Sequence, residues 1–363
     1  MDPIARERLA AQRVAAPLRG SARDVVAWMG AMQAQDYLGV RFALGVRLAG
    51  RHSDAEIERS IARGDVVRIH ALRFTWQLVT PGDVRSILAV TSPRMRAGIS
   101  RRLGQLDLDE RTLRRAGELL VERVLAGDEP VARDDVAAGL ERAGISVSGQ
   151  RLAYILMAAE IDGLVCNGAR DGKRFTYTRL ERLAPAARAP IDREEALARL
   201  AATYFTSRGP ATVHDFAWWS GLPIGEARRG AEAAGDALAR EGAHLRARRG
   251  VLATAKEGVF LLPPFDEMLI AYRDRSALLD PAHVKRINAG GGMLDAVMVV
   301  DGRVVGRYRR VLARDRVVVE LEPFHALPKA ARAAIEERAH AYGRFLEKAA
   351  EIRWTRADPR APR

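Results

Sequence analysis

Gln33, Ala34, Gln35 and Asp36 place two uncharged amides and a carboxylate side by side in the sequence. The surrounding pattern predicts that this stretch ends a helix over 22–33. Residues two apart on an α-helix point about 200° from each other, so the two amides could not serve one site. If the helix unwinds at this point, both amides can converge on one substrate. A polar helix terminus with no chemical role would have the same sequence.

The composition bounds the class of protein. The 363 residues suffice for two or three domains with their own cores, and 48% hydrophobic with 29% charged residues is typical of a soluble globular protein. No apolar run approaches the roughly 20 residues of a membrane span, and residues 1–8 lack the apolar core of a signal peptide. The single cysteine, Cys166, excludes an intramolecular disulfide and a multi-cysteine zinc site, and its strand-like neighbours predict a buried structural thiol. We therefore expect a cytoplasmic protein.

The charge balance favours a polyanionic partner. A net charge of +13 comes from 59 lysines and arginines against 46 acidic residues, and arginine outnumbers lysine, which favours planar contacts to phosphate. Each basic cluster could also be a solvated face. The three clusters are Arg94, Arg96, Arg101, Arg102, Arg111, Arg114 and Arg115; Arg246, Arg248, Arg249 and Lys256; and Arg303, Arg307, Arg309 and Arg310.

Two segments repeat the order helix, short strand, helix, turn, helix, hairpin, which is the order of a winged helix, and the N-terminal stretch fits it more loosely. We predict a mainly helical α+β fold with three tandem winged-helix units and a C-terminal β-rich element. The predicted bounds are 1–95, 96–185, 186–257 and 258–363. The wing of the third unit is predicted at 245–247 and 252–254, around Arg248 and Arg249.

The C-terminal element carries a strong hairpin-turn signal, Asp301-Gly302, between two strand-like runs within 296–310. An amphipathic helix is predicted over 329–350. The sequence lacks a zinc-deaminase signature, a Walker loop, a Gly-x-Ser-x-Gly elbow and a His-Glu-x-x-His pair. Trp218 and Trp219 are predicted to be core residues, with base stacking as the alternative.

The order and spacing of three segments over nearly the whole chain resemble those of the AlkZ/YcaQ-like winged-helix DNA glycosylases. The segments are Gln33-Ala34-Gln35-Asp36; Arg73-Phe74-Thr75-Trp76-Gln77 leading to Asp83; and Pro264-Phe265-Asp266 with Arg273 and Arg275. The family fold, three tandem winged helices with a C-terminal β-rich element, agrees with the prediction above.

The resemblance implies that Gln33 and Gln35 carry catalysis and that the substrate is DNA containing N7-alkylated guanine, including bulky or crosslinked genotoxin adducts. Some family members act in antibiotic self-resistance. The family commonly has Arg-Gly-Thr followed two residues later by His, where this chain has Phe74 and Gln77. Because of this departure, we assign no catalytic role to the segment 73–77.

Amides suit this reaction. Alkylation at N7 makes the base positively charged and already activated as a leaving group, so the enzyme must chiefly orient a water against an oxocarbenium-like sugar. An amide can accept a hydrogen bond from water and donate another, although it cannot take a full proton. We predict that Gln35 positions the attacking water and that Gln33 contacts either that water or the deoxyribose. Asp36 either adds negative charge that favours the cation or caps a helix.

No lysine beside the motif suggests a Schiff base, so we predict a monofunctional hydrolase that uses no metal or cofactor. The expected partner is double-stranded DNA bearing alkylated bases. We expect the protein to act as a monomer and to associate with the bacterial nucleoid. The predicted hairpin at 296–310 has its tip at 301–303. It either binds in a DNA groove or is an ordinary edge hairpin with exposed arginines. The candidate DNA contacts are Arg303, Arg307, Arg309, Arg310, Arg248 and Arg249.

Two other functions fit the same residues. One is a non-catalytic winged-helix transcriptional regulator, which would read bases with a recognition helix. The other is a polyanion-binding scaffold with no chemistry. The sequence leaves open whether the damaged base is flipped out or stays stacked.

Overall fold

The computed structural model describes residues 2–186, 189–249, 258–290 and 292–355. In these ranges the α-helices are α1 Pro3–Ala11, α2 Ala22–Met29, α3 Tyr37–Arg47, α4 Asp54–Ala62, α5 Val84–Gln105, α6 Glu110–Leu119, α7 Arg133–Arg142, α8 Arg151–Ile161, α9 Leu180–Leu183, α10 Arg193–Arg208, α11 Val213–Ser220, α12 Ile224–Ala233, α13 Glu267–Ile270, α14 Val284–Ile287 and α15 Lys329–Phe345. A π-helical turn, Leu120–Val124, continues α6.

The strands are β1 Met32–Gln33, β2 Val67–Ala71, β3 Thr75–Val79, β4 Val131–Ala132, β5 Val165–Asn167, β6 Thr176–Arg179, β7 Leu238–Glu241, β8 His244–Ala247, β9 Val259–Leu262, β10 Asn288–Gly290, β11 Met293–Leu294, β12 Ala296–Val300, β13 Arg303–Leu312, β14 Arg316–Pro323 and β15 Ala349–Trp354. The predicted mixed α+β class is confirmed.

A six-stranded sheet joins the first two predicted units. Its strand order is β1-β3-β2-β5-β6-β4, and the junction between β2 and β5 is the pairing of Arg68 with Asn167. Cys166 lies buried in β5, as predicted, and burial raises the pKa of its thiol. The edge strand β1 carries Gln33, so this sheet presents the amide motif at one side.

A five-stranded sheet in the order β15-β14-β13-β12-β9 forms the C-terminal element. The predicted hairpin is confirmed as β12 and β13, which pair across Asp301-Gly302. The predicted helix over 329–350 is too long, because α15 ends at Phe345 and β15 then pairs in parallel with β14. Strand β15 was not predicted, since amphipathic periodicity continues across the helix end.

The N-terminal helices pack directly on the C-terminal sheet. Val26 of α2, Leu44 of α3, Val319 of β14 and Tyr342 of α15 belong to one buried apolar cluster. Burying one such side chain stabilises the fold by about 1.5–3 kcal/mol. This shared core brings residues from both halves of the sequence to the amide motif.

The wing predicted in the third unit is placed differently by the structure. β8 pairs with β7, so the hairpin covers 238–247 instead of 245–254, and the predicted strand at 252–254 lies outside the described residues. Helix α5 runs through the predicted boundary at 95/96. The division into three winged-helix units remains a prediction.

Candidate active site

The chain leaves the helical conformation before it reaches the two amides. Helix α2 ends at Met29, and Gly30 has a φ of +71°, which glycine adopts readily because it lacks a Cβ. The predicted helix over 22–33 is therefore wrong in its last part. Gly30 turns the chain so that Met32 and Gln33 pair with β3, and α3 starts only after Asp36.

Gln33 and Gln35 lie in different environments. Gln33 is 8% exposed and pairs with Gln77 of β3, whereas Gln35 is exposed in the bend before α3. Neither residue is helical, so the 200° separation expected on a helix does not apply. The site therefore contains one buried amide, Gln33, and two residues later one solvent-accessible amide, Gln35.

A buried carboxylate fixes the backbone of Gln33. Glu267 Oε1 accepts a hydrogen bond from the Gln33 backbone N–H at 2.9 Å. Its Oε2 accepts from Arg208 at 2.6 Å and from the Trp219 indole N–H at 3.1 Å. Because β1 is an edge strand, the N–H of Gln33 that points away from β3 would otherwise be buried without a partner. Glu267 supplies that partner.

Two buried arginines hold the carbonyls on either side of Gln33. Arg208 donates to the backbone oxygens of Met29, at 2.7 Å, and Ala31, at 2.8 Å. Arg68 donates to the backbone oxygen of Ala34 at 3.1 Å. Burial lowers the pKa of Arg68 to about 10, so it is still charged at neutral pH. Side chains from distant parts of the sequence thus fix the motif backbone on both sides of the amide.

Arg73 determines the direction in which the Gln33 amide faces. Its Nη2 donates to Gln33 Oε1 at 3.3 Å. A guanidinium can only donate, so the amide oxygen faces Arg73 and the amide nitrogen faces away from it. Gln33 can therefore offer N–H donors to a substrate or a water.

Asp36 is a helix cap held in an ion pair. Its Oδ1 accepts from the Gly39 backbone N–H at 2.7 Å, which caps the N-terminus of α3. Both carboxylate oxygens accept from Arg310 Nη2 at 2.6 Å. The capping alternative for Asp36 is the one that these contacts favour, and its charge is balanced by Arg310 instead of being directed at a substrate.

Comparison with known proteins decides the family. A model of the family described as DNA glycosylase AlkZ-like matches residues 26–345. The chain belongs to this family. It is 27% identical over 346 residues to the interstrand DNA cross-link repair glycosylase of Streptomyces sahachiroi, covering 88% of this chain and 90% of that relative. The solved structure of Streptomyces sahachiroi DNA glycosylase AlkZ shares the fold, with a TM-score of 0.77 at 21% identity over 98% of this chain and 99% of that one.

The AlkZ-like protein is thus a DNA glycosylase that acts on DNA with damaged bases, and the predicted resemblance is confirmed. In the part of the chain that the structure describes, no helix is long and apolar enough to cross a membrane.

Two of the arginines predicted to contact DNA, Arg307 and Arg310, are partly buried and form ion pairs within the glycosylase. Arg307 forms ion pairs with Asp295 and Glu322, each at 2.9 Å, and Arg310 is paired with Asp36. Such ion pairs position strands and leave fewer donors for phosphate. These contacts make Arg307 and Arg310 weaker candidates for DNA contact than their sequence positions indicated.

The other four candidates are exposed. Arg303 lies at the start of β13 and Arg309 further along it. Arg248 and Arg249 follow β8, where Arg248 contacts Asp236 across an exposed 3.4 Å ion pair. Exposed ion pairs contribute little to stability, so these side chains can exchange partners for phosphate at small cost.

The two neighbouring tryptophans differ in burial. Trp219 is buried, as predicted, and its indole donates to Glu267. The core prediction for Trp218 is wrong, because its side chain is 43% exposed. On a helix, consecutive residues point about 100° apart, so one of the pair faces the core while the other faces solvent.

Sequence reasoning missed the residues that hold the motif, Glu267 and Arg208. Glu267 follows directly after the Pro264-Phe265-Asp266 segment, and that segment's Asp266 forms a buried bidentate pair with Arg47 at 2.8 and 2.9 Å. The one available signal was the occurrence of two adjacent acids in an apolar stretch, since carboxylates are rarely buried without partners.

Proposed function

We propose that this glycosylase hydrolyses the N-glycosidic bond of N7-alkylated guanine in duplex DNA, bulky adducts included, with Gln33 and Gln35 as its catalytic residues. The observation that carries the proposal is the motif itself: an amide fixed by Glu267, Arg208 and Arg73, with a second, accessible amide two residues away. The related Streptomyces sahachiroi protein is described as a cross-link repair glycosylase, which agrees with a bulky substrate.

The chemistry fits neutral amides. In N7-alkylguanine the base already carries positive charge, so the C1′–N9 bond breaks with its electron pair going to the base. Water attacks C1′ and loses its proton to solvent. The amide oxygen of exposed Gln35 can accept a hydrogen bond from that water and orient it, while the Gln33 amide nitrogen donates to the same water or the deoxyribose. A neutral alkylguanine leaves, and the product is an abasic site.

Release of the damaged base tests the substrate. We expect the enzyme to release base from duplexes carrying a single N7-methylguanine or a single bulky N7 adduct, and to leave undamaged guanine intact. Abasic sites are measured by alkali cleavage, with the Gln33→Ala/Gln35→Ala double variant as the matched control. Excision of N3-methyladenine with no release of either N7 lesion would disprove the N7 specificity while leaving the enzyme a glycosylase.

The β13–β14 turn, more than the 301–303 tip, is suited to reach into DNA. The 301–303 tip is held by backbone hydrogen bonds, with Asp301 N–H donating to the Gly258 oxygen at 2.9 Å. At the other end of β13, Val311 and Leu312 are 53% and 50% exposed. Arg310 ties this end to Asp36, next to Gln35. We therefore propose that Val311 and Leu312 contact the DNA near the damaged base.

Polar substitution at this turn should weaken DNA binding. We expect Val311→Ser/Leu312→Ser to lower the affinity for an abasic-analogue duplex about tenfold, because about 1.4 kcal/mol of apolar contact is lost. Urea unfolding should change little, since both side chains are half exposed. Fluorescence anisotropy measures the affinity, and Ile224→Ser, at a 39% exposed position on α12, is the control. Equal affinities for the two variants would disprove the contact.

A further inference from the structure

Two half-buried arginines, Arg73 next to Gln33 and Arg275, whose charge acts on Arg73, form no ion pair with any described carboxylate. Arg73 donates to the neutral amide oxygen of Gln33, and Arg275 makes no side-chain hydrogen bond to the described residues. Both are half-buried, and the Nε of Arg275 is shielded from solvent without a partner. Half-buried guanidinium groups normally lie next to a carboxylate, because desolvating a charge is costly.

Two neighbouring arginines, Arg47 and Arg208, show the usual arrangement. Arg47 is matched by Asp266 and Arg208 by Glu267, in ion pairs that are almost fully buried. With these two pairs neutral, Arg73 leaves a positive charge next to the Gln33 amide, and the charge of Arg275 acts on Arg73.

The charge of Arg275 acts unfavourably on Arg73. Burial is the main cause that lowers the pKa of Arg73, Glu267 opposes this effect, and the charge of Arg275 lowers the pKa further. Burial also lowers the pKa of Arg275. The surroundings of each guanidinium therefore disfavour its charged form. An anion bound between the two would lower the free energy of both charged groups.

An exposed aromatic ring completes the surface. Arg73 Cζ lies 5.8 Å from the centre of the Trp218 ring, and the Trp218 indole is fixed by donating to the Ile270 backbone oxygen at 3.1 Å. An exposed, oriented indole beside two guanidinium groups matches the chemistry of a nucleotide, with a flat face for a base or sugar and donors for a phosphate.

We propose that Arg73 and Arg275 form a binding site for the DNA phosphodiester next to the nucleotide that is excised. This site rests on the proposed function, since it identifies the phosphate that accompanies the damaged nucleotide at Gln33. Two guanidinium groups can bind one phosphate through several charge-assisted hydrogen bonds.

The phosphate has a consequence for the reaction. Without it, two positive charges beside Gln33 would oppose the oxocarbenium-like sugar. A phosphate bound between the arginines neutralises part of that charge at the moment when the sugar becomes positive. It also holds Arg73 in place, and Arg73 orients the Gln33 amide. Binding undamaged backbone correctly would thus prepare the amide for catalysis.

Methylphosphonate substitution, which removes the charge of one chosen phosphate, tests the site. The probe is a set of duplexes with a tetrahydrofuran abasic analogue, each carrying one methylphosphonate within three nucleotides of it. We expect one position to weaken wild-type binding at least about tenfold, as charge-assisted hydrogen bonds are worth about 1.5–3 kcal/mol. Arg275→Gln should weaken binding to the unmodified duplex by a similar factor. The same methylphosphonate should then lower the DNA affinity of the Arg275→Gln variant by less than about twofold.

A matched arginine controls for general charge. Arg273→Gln, at an exposed position two residues away, should retain the full methylphosphonate effect. Arg275→Gln should also reduce by about 1 the slope of log affinity against log salt. If no position is sensitive in wild type, or if Arg275→Gln remains as sensitive as wild type, the proposal is overturned. The probe contains no alkylated base and requires no base release, so its outcome is independent of the N7 specificity.

Discussion

Replacing Gln33 or Gln35 by alanine is expected to lower the rate of base release from N7-methylguanine DNA at least about tenfold. Gln33→Ala removes the amide that Arg73 orients, and Gln35→Ala removes the exposed acceptor for the water. Affinity for DNA should be nearly unchanged, because the phosphate contacts come from other residues. Single-turnover kinetics with saturating enzyme separates the chemical step from binding.

An amide far from the motif provides the comparison. Gln150→Ala, at the start of α8, removes an exposed amide that bonds only Arg102 at 2.8 Å, and it should release base at the wild-type rate. Wild-type rates in both Gln33→Ala and Gln35→Ala would remove these residues from the mechanism. A defect in only one of them would assign the water to that amide.

Glu267→Ala is expected to destabilise the fold by about 3–5 kcal/mol, because it leaves the Arg208 guanidinium buried without its carboxylate. It also removes the acceptor of the Gln33 N–H. Urea unfolding followed by tryptophan fluorescence measures the change in the free energy of unfolding. A loss below about 1 kcal/mol would show that the pair contributes little to stability.

A double variant separates the structural from the positioning role of Glu267. Glu267→Met/Arg208→Met replaces both charges by apolar side chains of similar length, which should recover much of the lost stability. Base release should nevertheless stay low, since Gln33 has still lost its anchor. A stable double variant with wild-type base release would show that Glu267 does not position the amide.

Local patterns were sufficient for some features. The Asp301-Gly302 turn between two β-branched runs predicted the β12–β13 hairpin, because turn chemistry and strand propensity lie within a few residues of each other. The family was also identified from the sequence, whereas the catalytic role of Gln33 and Gln35 stays a prediction. The hairpin signal depends on neighbours along the chain, whereas the family was identified from short segments spread over it.

Other features depend on partners far away along the chain. Glu267 contacts Gln33 across 234 positions, and Arg310 contacts Asp36 across 274. No periodicity encodes such pairs, so the sequence could not show that Asp36 and Arg310 neutralise each other. The end of α2 was missed for a similar reason, since the turn at Gly30 is stabilised by Arg208.

The large sequence separation of these contacts determines when the site can form during translation. The two amides are synthesised well before Arg208, Glu267 and Arg310, which leave the ribosome much later. Domains generally fold from the N-terminus as they are synthesised, yet this site requires more than 300 residues before all its supports exist. A nascent chain therefore contains the two proposed catalytic amides before their supports exist, and we expect base release only after Arg310 has been synthesised and folded into place.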